Sequence, residues 1–310
     1  MGSSVNALVS AVLLTMSATN VSAQPVPTGP SAPVPPAPDE SPAAAPTMAD
    51  LGRIVEQLRS PQPDQVREAI DLLSVLDRPE VVAPLATLLR SGPPDTITDR
   101  ALEALGGLAQ PSAIEVLTEL THHRRANARR RAYDALTAIG TPPVQRVIEQ
   151  GLSDSERTIR GGCALSLGQI GARGSLNTLF RAFERGVVEA AISIGKLGNA
   201  EAVTRFNAHL GRQALAIMLS GYGEFLRRSD IPAAVKTDIV ARLGEVSGPM
   251  VRRFLSEYLG SFPRWDRNSP LRRQVDETIR RIPEGPVAQA APTAAATPVM
   301  TSADTPAGTP

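Results

Sequence analysis

The sequence predicts an all-α protein, a right-handed α-solenoid of stacked antiparallel helix pairs flanked by disordered tails. Three observations predict it. A pair of large aliphatic residues recurs as Leu73/Leu76, Leu105/Leu108, Leu136/Ile139, Leu167/Ile170 and Ile194/Leu197, at steps of 32, 31, 31 and 27 residues. A period of this length marks a repeat array in which each unit buries its apolar face only against its neighbours. Around each pair the same order holds: a helical apolar pattern, a short turn, a second helical apolar pattern. The chain is also 42% hydrophobic but only 3% aromatic, which suits stacked helices of Leu, Ile, Val and Ala better than one large globular core.

Taken in chain order, residues 1–23 read as a signal peptide. Val5 to Ala18 is uncharged and apolar or small, and Val21-Ser22-Ala23 supplies small residues for cleavage before Gln24. That implies an exported chain, periplasmic or secreted. No cysteine follows the cleavage position, so a lipid anchor is not expected, and the apolar stretch is too short for a membrane span. Residues 24–47 carry a proline every two to four positions and read as an extended, disordered linker. Residues 48–283 form the repeat domain. Residues 284–310 are rich in Ala, Pro and Thr without apolar period and read as a disordered tail.

Within the domain, Met48, Leu51, Ile54, Val55 and Leu58 make one apolar stripe on an opening helix, stopped at Ser60-Pro61-Gln62-Pro63-Asp64. Five helix pairs follow: 64–76 with 80–90, 96–109 with 111–121, 126–139 with 142–152, 155–170 with 173–185, and 187–197 with 199–210. Proline at a helix start costs no hydrogen bond, which suits the turns at Pro79, Pro111 and Pro142. Gly140, Gly171 and Gly198 stand where a left-handed residue closes a helix. Beyond Gln213 the frame loosens, yet Ala214–Leu226, Ile231–Leu243 and Val251–Leu259 keep a helical pattern. Leu243-Gly244-Glu245-Val246 resembles the Leu-Gly-x-Ile step of the earlier units. Ser269-Pro270 opens a last helix with a narrow stripe of Leu271, Val275, Ile279 and Ile282. One apolar and one polar side is what a terminal unit needs.

Ala135-Leu136-Thr137-Ala138-Ile139-Gly140, Leu167-Gly168-Gln169-Ile170-Gly171 and Ile194-Gly195-Lys196-Leu197-Gly198 resemble the first-helix ending of short HEAT repeats, the phycobilisome-lyase type. Val66-Arg67 and Ile159-Arg160 resemble the apolar–Arg pair that opens that helix. The second helix Ala113–Leu120 fits as well. The resemblance covers residues 50 to 210 closely and 214 to 282 loosely. It implies a HEAT-like stack whose second helices line one face. HEAT arrays serve as scaffolds, transport factors, nucleic-acid binders and even lyases, so the resemblance fixes architecture more than activity. Ala69, Ala101, Ala132 and Cys163 share one frame position, where small side chains let neighbouring helices approach.

Composition narrows function. Net charge is +1, so no global field favours nucleic acid or an anionic membrane. The lone cysteine, Cys163, excludes a disulfide within one chain and shares the core position of Ala132, which points to a buried inert thiol. His122 and His123 are adjacent and face different directions on a helix, with no ligand at the next turn, so no metal is expected. Gly106-Gly107 and Gly161-Gly162 lie inside helical patterns and make no phosphate loop. No cofactor and no catalytic constellation is expected, and small-molecule binding is not indicated.

The sharpest local feature is His122-His123-Arg124-Arg125-Ala126-Asn127-Ala128-Arg129-Arg130-Arg131. Arg124, Arg125, Arg129, Arg130 and Arg131 sit in the first half of a helix, where the dipole disfavours cations. Two readings stand: a solvated ridge paired with acids of adjacent units such as Glu103 or Glu156, or a site for an acidic partner. Trp265, in the Pro263–Pro270 loop, reads equally as an interface anchor or an end plug. The second-helix face offers Glu115, Glu119, Gln145, Arg146, Glu149, Asn177, Arg181 and Arg205. The expected function is a non-catalytic scaffold or adaptor that binds a protein partner on that face. The alternatives are a lyase or enzyme accessory subunit like the bilin-lyase HEAT proteins, and nucleic-acid or polyanion binding through the 124–131 run.

Overall fold

A computed structural model describes residues 47–262 and 269–283, all within one compact unit spanning 45–310. The signal segment, the linker up to its last residue, Trp265 and the 284–310 tail lie outside the described residues. Among those described are fifteen α-helices and no strand. Helix α1 (Leu51–Gln57) opens the array. Seven pairs follow: α2 (Pro63–Leu76) with α3 (Val82–Arg90), α4 (Asp95–Leu108) with α5 (Ile114–Leu120), α6 (Ala126–Ile139) with α7 (Pro142–Gly151), α8 (Arg157–Gln169) with α9 (Leu176–Glu184), α10 (Ala190–Leu197) with α11 (Ala200–Asn207), α12 (Leu215–Arg227) with α13 (Ala233–Val246), and α14 (Pro249–Gly260) with α15 (Pro270–Arg281). The fold is the expected helical solenoid. Single 3-10 turns open the second helix in three units, at Pro79–Val81, Pro111–Ala113 and Arg173–Ser175.

The even-numbered helices stack in order, α2 on α4 on α6 through to α14, and the odd-numbered ones form a second layer. The even layer packs more closely, and its sequence explains why. Ala69, Ala101, Ala132 and Cys163 are all buried on the even helices. A Cβ on Gly168 would lie 2.4 Å from Ser193 Oγ, and one on Gly195 would lie 2.4 Å from the backbone oxygen of Gly221. Only glycine permits those approaches. Between the helices sit Leu73, Leu105, Leu136, Leu167 and Ile194, each fully buried. At about 1.5–3 kcal/mol per buried large aliphatic side chain, it is the stack that makes the stability.

The turns depart from the glycine rule in both directions. Gly140 and Gly171 are left-handed as expected, at φ +63° and +71°. Gly198 is not: its φ is −70°. There a Cβ would meet Ala202 Cβ at 2.6 Å and Phe225 Cε1 at 3.0 Å, so Gly198 answers to packing instead of backbone. Asp77 and Ala109 adopt the left-handed conformation at φ 44° and 46° without being glycine.

The loosened region holds two further pairs in the same frame. The Leu243-Gly244-Glu245-Val246 step, however, ends α13, a second helix, whereas the earlier steps end first helices. Its glycine still serves close approach, since a Cβ there would meet Thr278 of α15 at 2.9 Å. Helix α15 packs on α13 and α14 through buried Val275 and Ile279, with Ile282 just past its end, and closes the stack.

Candidate partner-binding faces

The arginine run is largely committed inside the molecule. Arg125 reaches Asp95 at 2.9 Å and Asp99 at 3.1 Å. Arg129 grips both oxygens of Asp154 at 2.8 Å. Arg130 pairs with Asp134 at 2.8 Å, and Arg131 Nε lies 4.0 Å from Asp99. Arg124 alone of the five is exposed without a carboxylate partner among the described residues. The acids are not the expected ones: Glu103 pairs with Arg100, and Glu156 joins no ion pair among the described residues.

The position of Arg129 has a further use. Its guanidinium donates to the carbonyls of His123 and Arg124 at 3.1 and 3.3 Å. One unit later Arg160 donates to the carbonyls of Asp154 and Ser155 at 2.8 and 2.9 Å. One unit earlier the Thr98 hydroxyl reaches those of Pro93 and Pro94. This frame position therefore ties down the turn between units, which offsets its unfavourable place in the helix dipole. The guanidinium of Arg129 holds the Asp154 carboxyl below the usual carboxylate range, against partial burial that raises it.

His123 Nδ1 accepts the Arg125 N–H at 3.1 Å, while His122 is exposed. Cys163 is buried, and burial pushes its thiol up, away from nucleophilic use. No group of three or more His, Cys, Asp or Glu side chains is placed to hold a metal among the described residues. No described helix is long and apolar enough to cross a membrane.

On the second-helix face one expected pair, Arg205 and Asn177, meets across units, and the other cross-unit contacts bring in partners the sequence did not single out. Arg90 of α3 bridges Glu119 at 2.7 Å and Glu115 at 3.3 Å on α5, which holds the Glu119 carboxyl below its ordinary range. Gln145 donates to Glu149 at 3.2 Å within α7, and the Ser175 hydroxyl donates to the same carboxylate from the next unit. Arg205 of α11 donates to Asn177 Oδ1 of α9 at 3.1 Å, pairs with Glu184 at 3.2 Å, and lies 4.0 Å over the Phe180 ring. Arg181 donates to Thr178, and Arg146 is exposed. Sequence reasoning missed Arg90, Ser175, Phe180 and Glu184. The signal was present for Arg90 and Ser175, which lie about one repeat from their partners.

Grooves open along the stack. One, of ≈ 720 Å³, lies beside α1 and α3 and is walled by Val55, Leu58, Pro63, Val66, Leu88 and Ile97. A smaller one of ≈ 290 Å³ lies between α9 and α11, with Arg173, Asn177, Asn199, Glu201 and Arg205 around it.

The family model for HEAT repeats matches residues 86–167, from inside α3 to the last turn of α8. This stretch is a HEAT-repeat array. The HEAT units resemble several solved structures. A homology model of the full-length AP-3 complex in an intermediate open conformation is 12% identical over 76% of this chain and 51% of that one, with a TM-score of 0.50. Human deoxyhypusine hydroxylase in complex with glycerol is 17% identical over 75% of this chain and 96% of that one, with a TM-score of 0.37. The complex of CpcE and CpcF of phycocyanin lyase from Nostoc sp. is 16% identical over 79% and 99%, with a TM-score of 0.41. At such identities the likeness is one of fold. No curated protein matches the sequence.

Proposed function

We propose that this chain is an exported, non-catalytic HEAT scaffold that holds a protein partner on its second-helix face. One observation carries the reading. Polar side chains of successive second helices form a partly exposed row from α3 to α11, tied between α3 and α5 by Arg90 and Glu119, between α7 and the turn before α9 by Glu149 and Ser175, and between α9 and α11 by Arg205 and Asn177. The first helices spend their facing surfaces on close mutual packing. A row positioned by a rigid stack suits recognition by shape and charge over several units. The arginine run of α6 supports this assignment less, since four of its five guanidiniums face internal acids.

The test is crosslinked capture from the cell envelope with residues 24–310 as bait. One variant carries Glu115→Ala, Arg146→Ala and Arg181→Ala. A control carries Arg124→Glu and Arg130→Glu. A partner held by the parent and the control but lost by the first variant is the expected result. Equal capture by all three would remove the partner from this face. Export is tested separately: N-terminal sequencing of the envelope protein is expected to begin at Gln24, and a start at Met1 or Gly2 in a cytoplasmic fraction would refute it.

A further inference from the structure

The second-helix face is electrically uneven. At its start, the single guanidinium of Arg90 meets two carboxylates, Glu115 and Glu119, so acid is in excess. From α7 to the turn after α11 the balance reverses. Six arginines stand there: Arg146, Arg173, Arg181, Arg185, Arg205 and Arg212. Against them on this face stand Glu149, Glu184 and Glu201; the acids in the intervening turns belong to the first helices, Asp154 holding Arg129 of α6, Glu156 standing at the N-cap of α8 and Glu189 lying against Gly161 of α8. Two of the carboxylates on this face are already engaged, Glu149 by Gln145 and Ser175, and Glu184 by Arg205. Arg146, Arg181, Arg185 and Arg212 are all exposed and have no carboxylate within ion-pair distance among the described residues. Arg173 is 74% exposed and only 3.7 Å from Asp230.

One of these guanidiniums is fixed in advance. Arg205 is stacked on Phe180, and two of its edges are held by Asn177 and Glu184. Arg205 itself lines the groove between α9 and α11. A guanidinium ordered before binding loses less entropy on meeting a carboxylate than a free one does.

We propose that this part of the face takes an acidic, extended peptide segment of the partner, with Arg205 as the anchor. The inference rests on the scaffold reading above and names the chemistry of its partner. A peptide fits better than a nucleic acid. Glu149, Glu184 and Glu201 interrupt the basic surface, and a peptide can place its carboxylates between them where a continuous phosphate backbone cannot. The Phe180 ring, moreover, is covered by Arg205 and offers no platform for base stacking.

The experiment measures fluorescence anisotropy of a labelled deca-glutamate peptide with residues 24–310, beside deca-lysine and a single-stranded oligothymidine. The parent is expected to bind deca-glutamate and not deca-lysine, with affinity falling severalfold between about 50 and 300 mM salt. Arg146→Glu/Arg181→Glu/Arg212→Glu is expected to weaken it at least tenfold, and Arg205→Gln about threefold to tenfold. Reversing three arginines elsewhere, Arg67, Arg124 and Arg130, is expected to change it less than twofold. Circular dichroism confirms that each variant is folded. No binding of deca-glutamate, equal loss in the control, or tighter binding of oligothymidine would overturn the proposal. Deca-glutamate is also added to the capture experiment. A partner still captured through Arg146 and Arg181 but not displaced by the peptide would sink the acidic segment and leave the scaffold standing. Capture that ignores the face altogether would sink both.

Discussion

Arg129 shows how a single side chain can look like a ligand site in sequence and be a fastening in the fold. Its guanidinium faces Asp154 squarely and reaches two turn carbonyls, so little of it is left for a partner. The Asp154 carboxyl is depressed by that contact. A folded-state value below the unfolded one of about 3.9 means the contribution is present at neutral pH and fades as pH falls through and below that region. Asp154→Asn is therefore expected to lower stability by about 1.5–3 kcal/mol at pH 7. The gap to the parent narrows as pH drops below about 4. Urea denaturation at the two pH values measures it, and a gap independent of pH would assign the loss to packing. Leu136 and Leu167 act by burial alone, with no exposed surface. Leu136→Ala or Leu167→Ala is expected to cost about 2–5 kcal/mol; an unchanged melt would place the repeat register elsewhere.

Helices and turns were unequally legible. The 3.6-residue apolar period placed the five pairs up to residue 210, and the later helices singly, within a few residues, because burial of one stripe against neighbours forces it. It could not say which helix of a pair a step belongs to once the spacing slipped after Gln213, so Leu243-Gly244 matched the motif while ending a second helix. Backbone conformation was also hidden. Nothing in Ala109 announces a left-handed φ, which is imposed by the way the turn must aim the second helix, whereas Asp77 is of a type that tolerates it. Ala109 thus holds a conformation that glycine adopts freely. Ala109→Gly is expected to stabilise the protein by up to about 1 kcal/mol, the relief being partly offset by a more flexible unfolded chain. The opposite holds at the α10–α12 crossing. Gly195→Ala would drive a methyl into the Gly221 carbonyl, and a loss of about 1–3 kcal/mol or more is expected in thermal or chemical melts. The candidate faces were legible by type and less so by state. The residues of the second-helix row lie on α5, α7, α9 and α11, but their pairing needs the distance across one repeat, which periodicity gives only approximately.

At the scale of the whole array, contacts run between adjacent units and rarely further. Stability is then close to a sum of unit and neighbour terms, and the ends are the weakest places because each has one neighbour. The two ends are not alike. At the far end α15 presents a charged outer side and buries Val275 and Ile279. At the near end of the described residues α1 has only seven residues, and an apolar groove lies beside it. Opening should therefore start at α1–α3. Leu73 and Leu167 are buried to the same degree in the same frame position, so the same substitution probes the two contexts. Leu73→Ala is expected to speed native-state hydrogen exchange in α1 to α4 and to leave α8 to α12 near parent rates. Leu167→Ala is expected to raise exchange in the flanking units α6 to α10, while α14 and α15 follow only weakly. Exchange that rises uniformly over the array for both variants would mean that the units unfold as one cooperative block, and the docking face would then share its fate with either end.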